Sequence, residues 1–200
     1  MKKRYLVYLD NKYGHESKNS GDILLKLRLL IKAHSYKEEI RDIRISRFFI
    51  ELDVGADQET LFMHTTEKFI NSLGEIGSIL FIDEITDEKK DASIEETISS
   101  AVYLFNMERF WKSHEVLESV WKNASGSTKK LLNGIILVDA AYVHVQKNEL
   151  ETYFSILRRS VEKLKDTPEY LYNIHMSLLL QNVEDILSEK KVFYFKILLK

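Results

Sequence analysis

Apolar and polar positions along the chain change rhythm once, near residue 90, and the change splits the sequence into two parts. Before it, short β-prone runs alternate with helical ones. Arg4-Tyr5-Leu6-Val7-Tyr8-Leu9 is aromatic and β-branched enough to read as a strand. Residues 10–20 are polar and form a loop. Leu24, Leu25, Leu27, Leu29, Leu30 and Ile31 then recur at helical density, with Ser20 placed to cap the helix. Ile40, Ile43 and Ile45 lead into Phe48, Ile50, Leu52 and Val54, which shifts the apolar set from odd to even positions. A period-2 strand cannot change phase without a bulge or a turn, and the break is placed at Ser46-Arg47. Gly55-Ala56-Asp57 ends that strand and opens a helix expected to run to about Leu73, where Gly74 stops it. Ile79-Leu80-Phe81-Ile82 is apolar on both faces, as a central strand covered on both sides would be.

The order is βαββαβ if the break is a hairpin and βαβαβ if it is a bulge. The first defines a ferredoxin-like α+β domain over residues 1–82, and this is the fold expected here. Residues 83–92 are charged and form the linker candidate. From residue 93 to 190 the pattern is helical throughout and predicts an all-α bundle or stack of helical hairpins. Ser93 with Glu96 makes a capping box, so the first of these helices opens at Ile94 and runs to about Phe105. The next covers Glu108 to Lys122, and a third Thr128 to Gln146. Asn148 with Glu151 is a second capping pair, opening a helix to about Leu164. Thr167-Pro168 stands where a cap and a first helical position belong, so a fifth helix is expected from there to about Leu187. Residues 191–200 close the sequence with the apolar run Val192-Phe-Tyr-Phe-Lys-Ile-Leu-Leu199. An unpaired apolar strand invites aggregation, so this tail is expected to return to the N-terminal sheet as an extra edge strand.

Composition narrows the chemistry. The 200 residues hold no cysteine, which excludes disulfides, thiolate catalysis and cysteine-based zinc or iron–sulfur sites. With 29 Lys plus Arg against 31 Asp plus Glu, net charge offers no general attraction to nucleic acid or anionic membrane. The seven glycines form neither a GxGxxG nor a P-loop. Ser113 and Ser127 lack a nucleophile elbow. The start MKKRYLVYLDNK mimics a signal peptide, but Tyr5 to Leu9 is shorter than the roughly 7–15 apolar residues such a segment needs. No run reaches the ~18 apolar residues of a membrane helix, and a cytoplasmic location is expected.

The densest constellation is Leu104-Phe-Asn-Met-Glu-Arg-Phe-Trp-Lys-Ser-His-Glu-Val-Leu-Glu-Ser-Val-Trp121, followed by Gly134-Ile-Ile-Leu-Val-Asp-Ala-Ala-Tyr-Val-His144. His114 and Glu118 are four apart and share a helix face, which Phe110, Leu117 and Trp121 extend, with Glu115 at its margin. Gly134, Ala140 and Ala141 let another helix come close, and His144 projects roughly 15 Å along the axis from Gly134. A histidine and a glutamate on a buried face must pair, ligate or face a cavity. One expectation is therefore that His114, Glu118 and His144 meet across a helix crossing. There they would form either a polar network that fixes register or a site for a divalent metal or small ligand. His114-Glu115-Val-Leu-Glu118 approaches HExxH but has glutamate in place of the second imidazole, which removes a zincin ligand. Neither helix carries the Glu-x-x-His order of a di-iron bundle.

The pattern Leu-Phe-Asn … Phe-Trp-x-x-His-Glu-x-Leu-Glu-x-x-Trp, then Gly-Ile-Ile … Ala-Ala … His, resembles domain-of-unknown-function family 309. The likeness covers about residues 97–160. The matching positions are Phe105, Asn106, Phe110, His114, Glu115, Glu118, Trp121, Gly134, Ala141 and His144. This chain has Ser113 where the family has Ala, and Asn133-Gly134-Ile135-Ile136-Leu137 where the family has Gln-Gly-Leu-Ile-Gln. The resemblance implies an all-helical fold and a shared polar cluster, and no activity.

Three functional readings follow. The leading one is a non-enzymatic binding or scaffold module whose helical hairpins offer a groove to a protein or peptide. The second is a metal- or ligand-binding protein or enzyme using His114, Glu115, Glu118 and His144. The third is an RNA-associated protein working through Tyr5, Tyr8, Phe48 and Phe49 of the N-terminal domain, with Lys2, Lys3, Arg4, Arg41, Arg44 and Arg47 as its basic residues. The three central arginines do not share strand parity and are diluted by Glu38, Glu39 and Asp42, so nucleic acid is the least favoured partner.

Overall fold

The first apolar run forms strand β1 (Lys3–Asp10) in a computed structural model that describes residues 3–33, 38–56, 73–85 and 92–200. A 3-10 turn (Ser17–Asn19) leads into helix α1 (Ser20–Ala33), and strands β2 (Glu39–Ile45), β3 (Phe49–Ala56) and β4 (Ile79–Glu84) follow. The four strands make one antiparallel sheet in the order β2-β3-β1-β4. The helix expected over residues 57–73 lies, apart from Leu73, outside the described residues.

The parity change in β2 has two causes. The β2–β3 register slips between Ile40 and Asp42, so Arg41 is a bulge that turns Ile40, Ile43 and Ile45 to one face opposite Val54, Leu52 and Ile50. A hairpin turn then joins the strands, with Ser46 N–H donating to Phe49 O at 2.9 Å and Phe48 N–H to Ser46 Oγ at 3.1 Å. The isoleucine face, with Val7 and Leu9, packs on Ile23 and Leu27 of α1. The other face pairs charges across the strands. Arg4 grips Asp53 bidentately at 2.5–3.1 Å, and Arg44 and Glu51, neighbours in register, form a buried ion pair. The run Ile79–Ile82 is not the central strand that its pattern predicts. Among the described residues strand β4 pairs only with β1 and lies at the sheet's end, leaving Leu80 54% and Phe81 43% exposed. The buried centre belongs to β1 and β3. Gly77 enters β4 where a Cβ would stand 2.2 Å from Asp10 O, so no side chain fits there.

The second compact unit spans residues 90–145 and 149–200. Its helices are α2 (Ile94–Asn106), α3 (Phe110–Trp121), α4 (Gly126–Gln146), α5 (Leu150–Leu164) and α6 (Met176–Glu189). The Ser93–Glu96 capping box closes the start of α2 as its spacing requires. The α2–α3 and α4–α5 corners are built alike. Each has one residue in the left-handed region, Glu108 (φ 60°) or Asn148 (φ 61°), followed by an N-cap, Arg109 or Glu149, and then by Phe110 or Leu150. Asn148 therefore does not cap α5 as expected. It turns the corner, because asparagine tolerates φ > 0 more readily than other side chains. Helix α4 runs through the core with Leu132, Ile135, Val138, Ala141 and Tyr142 at no more than 1% exposure.

Two further expectations are corrected. No helix starts at Thr167-Pro168. Tyr170–Leu171 (β5) and Ile174–His175 (β6) instead form a small hairpin whose turn, Tyr172-Asn173, has both φ values positive, as a primed two-residue turn demands. Helix α6 begins only at Met176. The tail does not join the N-terminal sheet. It lies extended within the helical unit, where Ile197 is buried and Val192, Phe193, Tyr194 and Phe195 pack against the core. Hydrogen bonds hold it there, because side chains and the β5–β6 hairpin of this unit pair with main-chain groups of Phe193, Ile197, Leu198 and Lys200.

Gly134 of α4 marks the closest helix approach, since a Cβ there would lie 2.7–2.8 Å from the Leu164 side chain, which is itself fully buried and cannot swing away. Gly134→Ala gains about 1 kcal/mol of helix propensity but meets an overpacking cost of roughly 1–3 kcal/mol. The expected net result is a lower Tm in a thermal melt. An unchanged or raised Tm would show that α4 and α5 are not in tight contact at this point.

Candidate functional site

The sequence-predicted cluster lies mostly on α3 and faces outward more than expected. The core stripe of α3 is Phe110, Ser113, Leu117 and Val120. His114, Glu115 and Glu118 occupy the neighbouring half-buried stripe, one position round the helix. The His114 ring stacks parallel to Trp111 at 5.7 Å between centroids, and its Nε2 lies 3.6 Å from Glu118 Oε1. Glu115 faces Lys112 at 3.8 Å, and Lys129 sits 4.6 Å from the centre of the Trp121 ring. His144 is not part of this group. Its Nδ1 is held in a short contact by Glu149, because the left-handed corner at Asn148 folds the N-cap of α5 back over the last turn of α4. The expected meeting of His114, Glu118 and His144 is therefore replaced by two separate pairs. Among the described residues no group of three His, Asp or Glu side chains is arranged to hold a metal ion.

The buried polar pair of the domain is Ser113–Asp139. Asp139 is wholly buried on α4, and its Oδ2 lies 2.9 Å from Ser113 Oγ, which is also 2.9 Å from Ala101 O. The Ser113 hydroxyl donates toward both oxygens and so shares its single proton between Ala101 O and Asp139 Oδ2. Burial raises the pKa of Asp139 well above the usual carboxylate range, and the contact with Ser113 opposes this more weakly. Burial thus biases Asp139 toward its protonated form, and Ser113 links it from α4 to α2. The signal in the sequence was a lone carboxylate inside the apolar run Ile135–Tyr142, together with serine where the family resemblance has alanine.

The arrangement best suited to binding surrounds the tail. Asn106, the last residue of α2, donates from Nδ2 to Ile197 O at 2.9 Å and accepts at Oδ1 from Ile197 N–H at 2.8 Å. One side-chain amide thus closes both main-chain groups of one residue, as a neighbouring strand would. Tyr142 of α4 donates its hydroxyl to Phe193 O at 2.6 Å. Burial drives the Tyr142 pKa far up and that of Tyr153 up to about 12, so both phenols stay protonated. Phe105, Phe110 and Tyr142 supply the floor. Phe195 lies 5.5 Å from Phe105 and 5.9 Å from Tyr142, and Tyr194 lies 5.5 Å from Tyr142 and 6.3 Å from Phe110. Farther on, His175 N–H donates to Leu198 O and Lys200 N–H to Asn173 O. Sequence reasoning groups Phe105, Asn106 and Phe110 in one motif but does not connect that motif to the tail.

In the N-terminal unit Tyr5, Tyr8 and Phe49 are buried and Phe48 is exposed, and Arg44 is consumed by its ion pair. No described helix is long and apolar enough to cross a membrane.

Two α-hairpins with matching left-handed corners, α2–α3 and α4–α5, with α4 running through the core, define a helical-hairpin domain. Residues 98–155 of it match the family described as "Domain of unknown function (DUF309)". Among solved structures, the chain is similar to a conserved hypothetical protein of Thermus thermophilus, with 29% identity and a TM-score of 0.41. That likeness covers 45% of this chain and 94% of the other. No curated protein matches the chain.

The neutral state of Asp139 has a measurable sign. Its folded pKa lies above the unfolded value, so the folded protein binds the extra proton, and the stability Asp139 contributes is full below about pH 4 and lost as pH rises toward the folded pKa. Asp139→Asn removes this dependence. Chemical denaturation at several pH values is expected to show the variant gaining on wild type as pH increases. A difference that does not change with pH would mean that Asp139 is ionised in the fold.

Proposed function

We propose that the helical unit is a non-enzymatic module that binds a polypeptide segment in extended conformation, gripping it by the main chain. One observation carries this reading: the Asn106 amide is hydrogen-bonded to both the N–H and the C=O of residue 197 in a tail segment laid over aromatic rings. Recognition by strand-like hydrogen bonds takes affinity from the backbone and specificity from side-chain pockets. Here the pockets are the aromatic floor of Phe105, Phe110 and Tyr142 and the enclosed seat of Ile197. Phenols held neutral suit this task, since a donor that stays protonated serves a carbonyl at any ordinary pH. The pairings His114–Glu118 and His144–Glu149 then act as supports that fix α3 and the α4–α5 corner.

We also infer that the N-terminal unit is a ferredoxin-like βαββαβ sandwich. The antiparallel order β2-β3-β1-β4 and the packing of α1 on the isoleucine face support it.

The test is a titration of the 15N-labelled full chain with an unlabelled peptide of sequence 190–200, up to ~1 mM, the scale set by a short tether. The side-chain amide signals of Asn106 and the backbone signals around it are expected to shift progressively with added peptide. In Asn106→Ala the backbone signals around the groove should stop responding, and two lost hydrogen bonds should lower stability by about 1–3 kcal/mol. Peptide-induced shifts confined to surfaces away from α2 and α4 would refute the module.

A further inference from the structure

We infer that residues 192–199 are a resident competitor in this groove. The partner they compete with is a polypeptide segment of the same pattern, two adjacent aromatic residues followed, after one free position, by a buried aliphatic residue. The inference rests on the binding reading above and adds the partner's chemistry and its regulation.

The tail itself supplies the pattern. Tyr194 and Phe195 lie against Phe110, Phe105 and Tyr142, Lys196 is exposed, and Ile197 is 3% exposed with its peptide group clamped by Asn106. An aliphatic side chain is needed at the clamped position because that seat is closed to water. Proline is excluded there, since the clamp requires an N–H. The free position between them points outward and accepts any residue. Grip on the backbone is indifferent to which chain supplies it, so any segment that presents these three side chains at this spacing can replace the tail.

The way the tail is attached makes it a regulator. Helix α6 ends at Glu189, Lys190 turns the chain in the left-handed region (φ 51°), and the groove segment follows at once. So short a tether holds the tail at an effective concentration of order 1 mM. A free peptide with an intrinsic Kd of ~10 μM would then compete with a tail that is bound about 99% of the time, and its apparent affinity would fall roughly 100-fold. The half-exposed rings of Phe193, Tyr194 and Phe195 place displacement within reach, because part of the tail's surface already faces solvent.

Fluorescence anisotropy of a labelled 190–200 peptide against the full chain tests this. Tyr194→Ala weakens the tail at a half-buried position, and Ile197→Asp removes its anchor. Each is first checked for a cooperative thermal melt, and Tyr194→Ala, the milder change, decides the matter if Ile197→Asp does not fold. The peptide is expected to bind the weakened-tail proteins at least tenfold more tightly than wild type. Adding Asn106→Ala should abolish that gain, and a peptide carrying aspartate at its Ile197 position should bind none of them. Equal affinity for wild type and a folded weakened-tail variant would overturn the competitor role while leaving the binding module standing. No binding to any folded variant would overturn both. A concentration-dependent dimer of the wild type that Ile197→Asp abolishes would seat the tail of a second copy in the groove and overturn regulation within one chain.

Discussion

A polypeptide laid along an apolar surface brings its amides with it, and each one left without a partner costs about 1–3 kcal/mol. The helical unit meets part of that cost with two side chains and a short hairpin. Asn106 closes both groups of residue 197, Tyr142 closes the carbonyl of Phe193, and the β5–β6 hairpin takes over beyond it. Much else in the unit serves to hold those partners in place. Asn106 sits at the end of α2 because the left-handed corner at Glu108 stops the helix there. Tyr142 is fixed on α4, which the approach at Gly134 and the ring packing of Phe105, Phe110 and Tyr153 hold in the middle of the core.

Elements set by local physics are legible in the sequence. The β1 run, the α1 leucines, the Ser93–Glu96 capping box and the phase break before Phe48 each express a rule that operates within a few residues. What escapes a local reading depends on distant partners. The run Ile79–Ile82 is apolar enough for a central strand, yet sheet position is decided by which strands pair, and β1 and β3 take the centre. Thr167-Pro168 is a sound helix start by local chemistry, but Asn173 offers a primed turn, and the tail's need for strand partners lies more than twenty residues further on. The tail's apolar run shows that it cannot stand alone. Its destination depends on Asn106, separated from Ile197 by 91 positions, which no pattern in the sequence reveals.

The candidate cluster follows the same logic. His114 and Glu118 share a face as their spacing requires, and they do pair. His144 belongs with them only if both helices bury those faces against each other, and a corner residue brings Glu149 nearer instead. The position best equipped to perturb the core is Ser113, one step round the helix from His114, since a hydroxyl there gives the buried carboxyl on α4 its hydrogen-bond partner. A buried Asp139 that had to ionise would oppose folding. As an acid hydrogen-bonded to Ser113 it ties three helices together.

The position of the groove segment also fixes an order of events in synthesis. Chains leave the ribosome at about 5–20 residues per second, so α2 through α4 emerge seconds before Ile197. During that interval Phe105, Phe110 and Tyr142 have been made and the residues that cover them have not. Every newly made molecule therefore passes through a period in which the first strand to reach the floor need not be its own. Correct assembly then depends on how quickly translation delivers residues 192–197 to their seat.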